Sequence, residues 1–346
     1  MKAMVLRAFK QPMELEELRR PTPGPGEALV RVRACGLCGT DVKVADGAID
    51  TVLLPLIPGH ELAGEVVELG PPGVAPDSWP VAVGDHVVVH AYVTCGRCWY
   101  CRNARENNCE RAARLGFERP GGFGEYVTAP VENCYRVPVS LPFEQASILS
   151  GTLATPFHAL RHQGRITAGE TVVIFGVGGL GIHAVQLARE LGGRVIAVDV
   201  DDAKLELAIR LGASTALPWS DSVASEIRAL TDGEGADVVV PVVGGGALPS
   251  VLPQAFGALR RCGRLVLLGY LRGVPLTVDT HELIYNAWEI RGSRSSTTQD
   301  LLDVIRLVEA GRVQPVVARS VPVEQADMAL DELRGRPPVG RLVLAL

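Results

Sequence analysis

To about Ser150 the chain alternates short apolar runs with Gly and Pro: Ala28–Arg33, Leu62–Leu69 and His86–His90, separated by turn signals such as Pro21–Gly26 and Pro71–Gly73. Runs of this length between turn residues predict an all-β, barrel-like region rather than helices. After Ile166 the texture changes. Thr171–Phe175, Arg194–Val198, Asp237–Val243 and Arg264–Gly269 are compact β-branched or Leu/Val runs, with helical stretches between them at Ile182–Leu191, Ala203–Leu211, Val223–Leu230 and Leu248–Leu259. Apolar strands alternating with amphipathic helices predict a parallel sheet covered on both faces, a doubly wound α/β domain. Gln299–Ala310 sets Leu301, Leu302, Ile305 and Val308 at helical spacing, and the tail returns to strand-like runs at Pro315–Val321 and Arg341–Leu346.

Composition narrows the function classes. A length of 346 residues, 47% of them hydrophobic, gives two domains with ample cores. The formal net charge of -5 carries no basic footprint, so no nucleic-acid partner is expected. No apolar run is long enough to span a bilayer, and Arg7 and Lys10 interrupt the opening stretch where a secretory signal would be apolar. A cytoplasmic protein is therefore expected. Four of the eight cysteines crowd into one segment, a pattern that favours metal over disulfide in that compartment.

That segment is Cys95-Gly-Arg-Cys98-Trp-Tyr-Cys101, followed by Cys109. Short C-x2-C spacings bring thiolates together for tetrahedral zinc, and four sulfurs leave no open position, so the site reads as structural. Free surface thiols are the alternative. Gly176-Val-Gly178-Gly179-Leu180-Gly181 follows the run Thr171–Phe175 and opens the helix at Ile182, the context that a dinucleotide-binding loop requires. Asp199 ends the next apolar run, where a carboxylate binds ribose hydroxyls and repels a 2′-phosphate. The expected cofactor is NAD. Cys38-Gly39-Thr40-Asp41 and Gly59-His60-Glu61 supply a thiolate and an imidazole that suit a zinc site with an open position for substrate. By spacing alone, ordinary residues are the alternative reading there.

Taken together these residues resemble the zinc-containing medium-chain alcohol dehydrogenase family. Gly59-His60-Glu61-Leu-Ala-Gly64 with Gly70 is similar to its zinc signature, and the four-cysteine segment to its structural zinc lobe. Gly121-Gly-Phe-Gly-Glu125-Tyr126, Gly176–Gly181 and Ile290-Arg-Gly-Ser293 are similar to further runs of that family. The resemblance implies a GroES-like β-barrel catalytic domain, residues 1–150 and 293–346, with the zinc lobe at 95–109. It also implies a Rossmann NAD-binding domain at 151–292. Cys38 and His60 would hold a catalytic zinc, with Glu61 behind it as an alternative ligand. Asp41 would hold the His60 ring, and Thr40 would hydrogen-bond the substrate hydroxyl. Thr155 would lie near the nicotinamide, and Lys204 and Arg341 near the ribose and phosphates. Leu180, Val243, Leu268 and Gly269 would complete the cofactor contacts with the glycines.

Two positions depart from the family. Gly151 stands where a third zinc ligand is usual, so that Glu61 or water completes the site, or the catalytic zinc is weak or absent. Lys43 stands where many relatives carry a relay histidine, and reads as a surface lysine or a group attracting an anionic substrate. The leading expectation is zinc- and NAD-dependent oxidation of a primary or secondary alcohol, or a polyol, by a homodimer or homotetramer. The rivals are a zinc-poor reductase of an activated carbonyl or C=C bond, and an NAD-binding relative without catalysis. Cys35, Cys134 and Cys262 are expected to be small buried hydrophobes.

Overall fold

A computed structural model describes residues 1–72, 80–335 and 337–346. The Gly73 end of the turn expected at Pro71–Gly73 lies outside these. The chain divides into two units. One comprises Met1–Ala154, Ser296–Glu309 and Pro315–Leu346, and the other Thr155–Ser295 and Ala310–Gln314.

The first unit opens on an antiparallel ribbon, β1 (Lys2–Val5) with β2 (Glu14–Glu17). Its main sheet is built on β3 (Glu27–Leu37), whose eleven residues follow a Gly/Pro-rich turn and are mostly buried. β4 (Glu61–Leu69) runs antiparallel to β3, and β5 (His86–Val89) antiparallel to β4. β6 (Tyr92–Val93) and β7 (Ala113–Arg114) pair around the four-cysteine segment. β8 (Tyr126–Pro130) pairs with the first half of β3, and β9 (Cys134–Arg136) with β5. Val30, Val32, Leu62, Val66, Val87 and Val89 point into one core, which Phe123 and Leu115 help to fill.

In the second unit β10 (Thr171–Phe175), β11 (Arg194–Asp199), β12 (Thr215–Pro218), β13 (Ala236–Pro241), β14 (Leu259–Leu267) and β15 (Glu289–Gly292) form a parallel sheet in the order β12-β11-β10-β13-β14-β15. Every residue of β10 and β13 is buried, as expected for central strands covered on both faces. The helix Gly181–Glu190 buries Ile182, Ala184, Val185 and Leu187. The next helix, Asp202–Arg210, is capped by the Asp201 carboxylate, which accepts from the Ala203 N–H. After this unit the chain returns to the first sheet through β16 (Val317–Pro322) and β17 (Arg341–Ala345). β17 lies between β16 and β3.

Several elements differ from the sequence expectation. The first part is not all-β: it holds helices at Gly39–Ala45 and Phe143–Ser147 and a π-helical turn at Leu149–Leu153. The first of these is short and rich in valine, so periodicity does not announce it. It forms because Asp41, its third residue, accepts from the Cys38 N–H. β14 begins at Leu259, five residues before the expected Arg264, since the apolar signal is masked by the polar stretch Arg260–Gly263. Cys262 in that stretch is exposed, unlike buried Cys35 and Cys134. β12 and β15 were not expected. They are short strands at the two ends of the sheet and carry too few apolar residues to stand out. No helix among the described residues is long and apolar enough to cross a membrane.

Candidate active site

The register of the first sheet explains why residues far apart in sequence meet. Cys38 follows the last residue of β3 and His60 precedes the first residue of β4; the pairing Gly36↔Glu61 puts these ends side by side. β17 runs antiparallel to β3 with Leu342 opposite Leu37, so Arg341 enters at the same end. Gly59 sits at φ +96°, a left-handed conformation suited to glycine, with Cys35 Sγ only 2.8 Å from where a Cβ would be. The chain therefore turns tightly into His60.

One donor atom from each of Cys38, His60 and Glu61 lies within 4.8 Å of the others. Asp41, itself buried, binds both flanking groups: Oδ2 accepts from the Cys38 N–H at 2.8 Å and Oδ1 lies 3.0 Å from His60 Nδ1. With Nδ1 engaged by a carboxylate, Nε2 is left with the lone pair that a metal requires. Burial pushes the Cys38 thiol up, but the Arg341 guanidinium and the His60 ring outweigh it, and the pKa falls to about 7. His60 is raised against the effect of burial by the charge and hydrogen bond of Asp41. A soft sulfur held near its thiolate form, an oriented imidazole and a carboxylate make a donor set that fits zinc.

Glu61 is 1% exposed and its charge is compensated. Arg341 Nε donates to Oε2 at 3.0 Å and Nη2 to Oε1 at 2.5 Å, a bidentate pair. The Thr152 hydroxyl lies 3.1 and 3.0 Å from the two oxygens. The family resemblance sets Arg341 near the cofactor's ribose and phosphates, whereas here it pairs with Glu61. No local signal links Arg341 or Thr152 to Glu61, which is 280 and 91 residues away. Phe117 is a further residue of the site, its ring centroid 5.3 Å from that of His60. Thr40, half-buried, lies in the first turn of the helix that follows Cys38.

The sulfurs of Cys95, Cys98, Cys101 and Cys109 also gather within 4.8 Å. Cys98 and Cys101 are 3.5 Å apart, Cys95 and Cys109 3.6 Å. The N–H groups of Arg97 and Cys98 aim at Cys95 and lower its pKa to about 6; that of Cys101 lowers Cys98. Backbone donors thus stabilise the thiolates of Cys95 and Cys98, while burial and the neighbouring sulfurs push Cys101 up to about 12; the four gathered sulfurs fit a closed tetrahedral zinc.

In the second unit the glycine loop joins β10 to the helix Gly181–Glu190. Gly176 has φ +88°, and a Cβ at Gly181 would collide with the Gly176 carbonyl. Gly178 faces open space, which leaves its backbone accessible to a phosphate; Gly179 and Leu180 complete the turn. Asp199, at the end of β11, accepts from Val177 N–H at 2.7 Å and from the N–H groups of Val200 and Asp201 at 2.8 and 3.1 Å. Its carboxylate is thus fixed at the C-terminal edge of the sheet. Val243 packs against Gly176, and Leu268 and Gly269 donate to the Pro241 carbonyl, which brings all three to that same edge. Lys204 is buried in the helix after Asp199, and Thr155 is half-buried.

Comparison with known proteins agrees with this geometry. Residues 24–139 match the family model for the alcohol dehydrogenase GroES-like domain, and residues 179–310 that for zinc-binding dehydrogenase. An alcohol dehydrogenase of Geobacillus stearothermophilus is 36% identical, covering 99% of both chains. An NAD-dependent alcohol dehydrogenase of Sulfolobus acidocaldarius is 34% identical, again covering 99% of each. The crystal structure of AibC superposes with a TM-score of 0.91 at 37% identity, covering 100% of this chain and 95% of that one. The chain belongs to the zinc-containing medium-chain alcohol dehydrogenase family.

Proposed function

We propose that the protein oxidises a primary or secondary alcohol, or a polyol, to its carbonyl, with NAD as cofactor and a catalytic zinc held by Cys38, His60 and Glu61. The observation that carries this reading is the meeting of those three donors at one end of the β3–β4 pair, with Asp41 binding two of them. When bound, zinc supplies Lewis-acid polarisation of the substrate oxygen and NAD accepts the hydride. Asp41 fixes the His60 ring, and Arg341 neutralises Glu61. Thr40, two residues from Cys38, would hydrogen-bond the substrate hydroxyl and relay its proton, taking it as it passes its own on. Cys95, Cys98, Cys101 and Cys109 hold the structural zinc. Gly176, Gly178, Gly179, Leu180 and Gly181 carry the pyrophosphate, Asp199 binds the ribose, and Thr155, Lys204, Val243, Leu268 and Gly269 line the rest of the cofactor site. The name of the Sulfolobus relative supports NAD.

Eight cysteines with no disulfide among them, five of them proposed zinc ligands, are consistent with a reducing compartment, the cytoplasm. A homodimer or homotetramer is supported by β15. Among the described residues it ends its sheet, and Glu289 and Arg291 flank Ile290 so that antiparallel pairing with a second copy sets opposite charges together. Light scattering checks that assembly.

Zinc per subunit tests the catalytic reading. Two zincs are expected as purified, and one in Cys38→Ala. A wild-type protein with a single zinc that turns over enones or enoyl thioesters instead of alcohols would sink the reading and favour the zinc-poor reductase. The cofactor assignment fails if kcat/KM is higher with NADP than with NAD.

A further inference from the structure

The family resemblance puts Gly151 where a third zinc ligand is usual, and the structure gives that space to another group. A Cβ at residue 151 would overlap Glu61 Oε1, with Cδ and Cγ of the same side chain at 2.6 Å. On the opposite side Gly36, facing Glu61 across the β3–β4 ladder, would put a Cβ 2.5 Å from Oε2. The Glu61 carboxylate therefore lies between two glycines, and a side chain at either would displace it. Thr152 closes this cage. Its hydroxyl is well placed, in a helical turn, to bond back to a carbonyl of the preceding turn, as threonine commonly does. Instead it points at both oxygens of Glu61, and Thr152 is wholly buried. The π-helical turn Leu149–Leu153 that presents it is a local widening of the kind often found at functional sites.

We infer that Gly151 and Thr152 make Glu61 the standing third ligand of the catalytic zinc: the glycine clears the room, and the threonine hydroxyl, with Arg341, orients the carboxylate. Thr152 is a positioning residue that acts through Glu61. A carboxylate has about four lone-pair sites. Two N–H donors of Arg341 and one hydroxyl take three of them, and a Glu61 oxygen lies within 4.8 Å of the donor atoms of Cys38 and His60, close enough for the remaining one to serve a shared metal. The assignment rests on the zinc site proposed above.

The test is competition of the zinc-loaded enzyme with a chelator, following zinc release from the catalytic and the four-cysteine sites separately. Thr152→Val keeps the shape and removes the hydroxyl. It is expected to weaken the catalytic zinc by about 10- to 100-fold, the usual effect of losing a group that orients a ligand, and to leave the four-cysteine zinc in place. Thr152→Ser is expected to restore wild-type retention. Gly151→Ala, which forces the carboxylate to move, is expected to lose catalytic zinc at least as readily as Thr152→Val. Cobalt(II) in the catalytic site adds a spectroscopic readout, its d–d bands shifting in Thr152→Val and returning in Thr152→Ser. Wild-type retention in Thr152→Val, or a Thr152→Ser variant as weak as Thr152→Val, overturns the inference while leaving the zinc reading intact. A wild-type protein with one zinc, still present in Cys38→Ala, overturns the zinc reading and the inference with it.

Discussion

Asp41 and Arg341 are the two residues on which the geometry of the candidate centre depends most, and neither needs to touch a substrate. Asp41 gives one oxygen to the backbone of Cys38 and the other to the His60 ring. Asp41→Asn replaces one acceptor with an NH2 group that faces a donor, so one of the two bonds is lost. The expected result is a catalytic zinc weakened by about 10- to 100-fold in chelator competition. Arg341 is 5% exposed and compensates a carboxylate that is 1% exposed. Arg341→Ala leaves Glu61 charged and buried, a loss of about 3–5 kcal/mol in stability measured by denaturant unfolding. Chemistry of this kind is only partly legible in sequence. Cys38, Asp41, His60 and Glu61 stand in two short motifs whose metal reading rests on the family resemblance rather than on spacing alone. The Thr152–Glu61 contact is set by sheet register and a π-helical turn, which no spacing rule covers.

At the scale of elements, legibility follows burial. β10 and the helix after it were placed within a residue from local pattern, because a wholly buried strand leaves an uninterrupted apolar run. β12 and β15, at the sheet's ends, leave no such run, and the helix Gly39–Ala45 depends on a side-chain cap rather than on apolar periodicity. The β6–β7 pair matters more than its size suggests. Arg114 of β7 lies over the Phe117 ring at 4.1 Å, and Phe117 in turn packs on His60. Arg114 also forms a two-pronged pair with Glu118, whose carboxylate is raised by burial but brought below its ordinary value by the hydrogen bonds from Arg114. A folded-state pKa below the unfolded one means a stabilising contribution that is full above the ordinary carboxylate range and is lost as pH falls through the lowered value. Glu118→Gln is therefore expected to be less stable than wild type near neutrality, with the difference fading in acid. Thermal melts across that range check the sign.

At the scale of the whole molecule, neither unit is one continuous stretch: the chain passes between them after residues 154, 295, 309 and 314. The first sheet is completed by the last strand, since β17 joins β16 to β3. Deleting Arg341–Leu346 removes Leu342, Val343 and Leu344, all 0% exposed, and orphans Glu61. At about 1.5–3 kcal/mol for each large buried side chain, and about 3–5 kcal/mol for an uncompensated buried charge, the loss reaches the roughly 5–15 kcal/mol that holds a typical domain together. The second sheet draws all six of its strands from residues between Thr155 and Ser295 and has its own core around Val173, Val239 and Leu265. Truncation after Gly340 is expected to unfold the first unit and spare the second. Hydrogen exchange followed segment by segment should then show β3, β4 and β16 exchanging freely while β10, β11 and β13 keep their protection. Uniform loss across both sheets would mean that the second unit requires the first in order to fold. Uniform retention would mean that β17 contributes far less than its burial and its pairing with β3 imply.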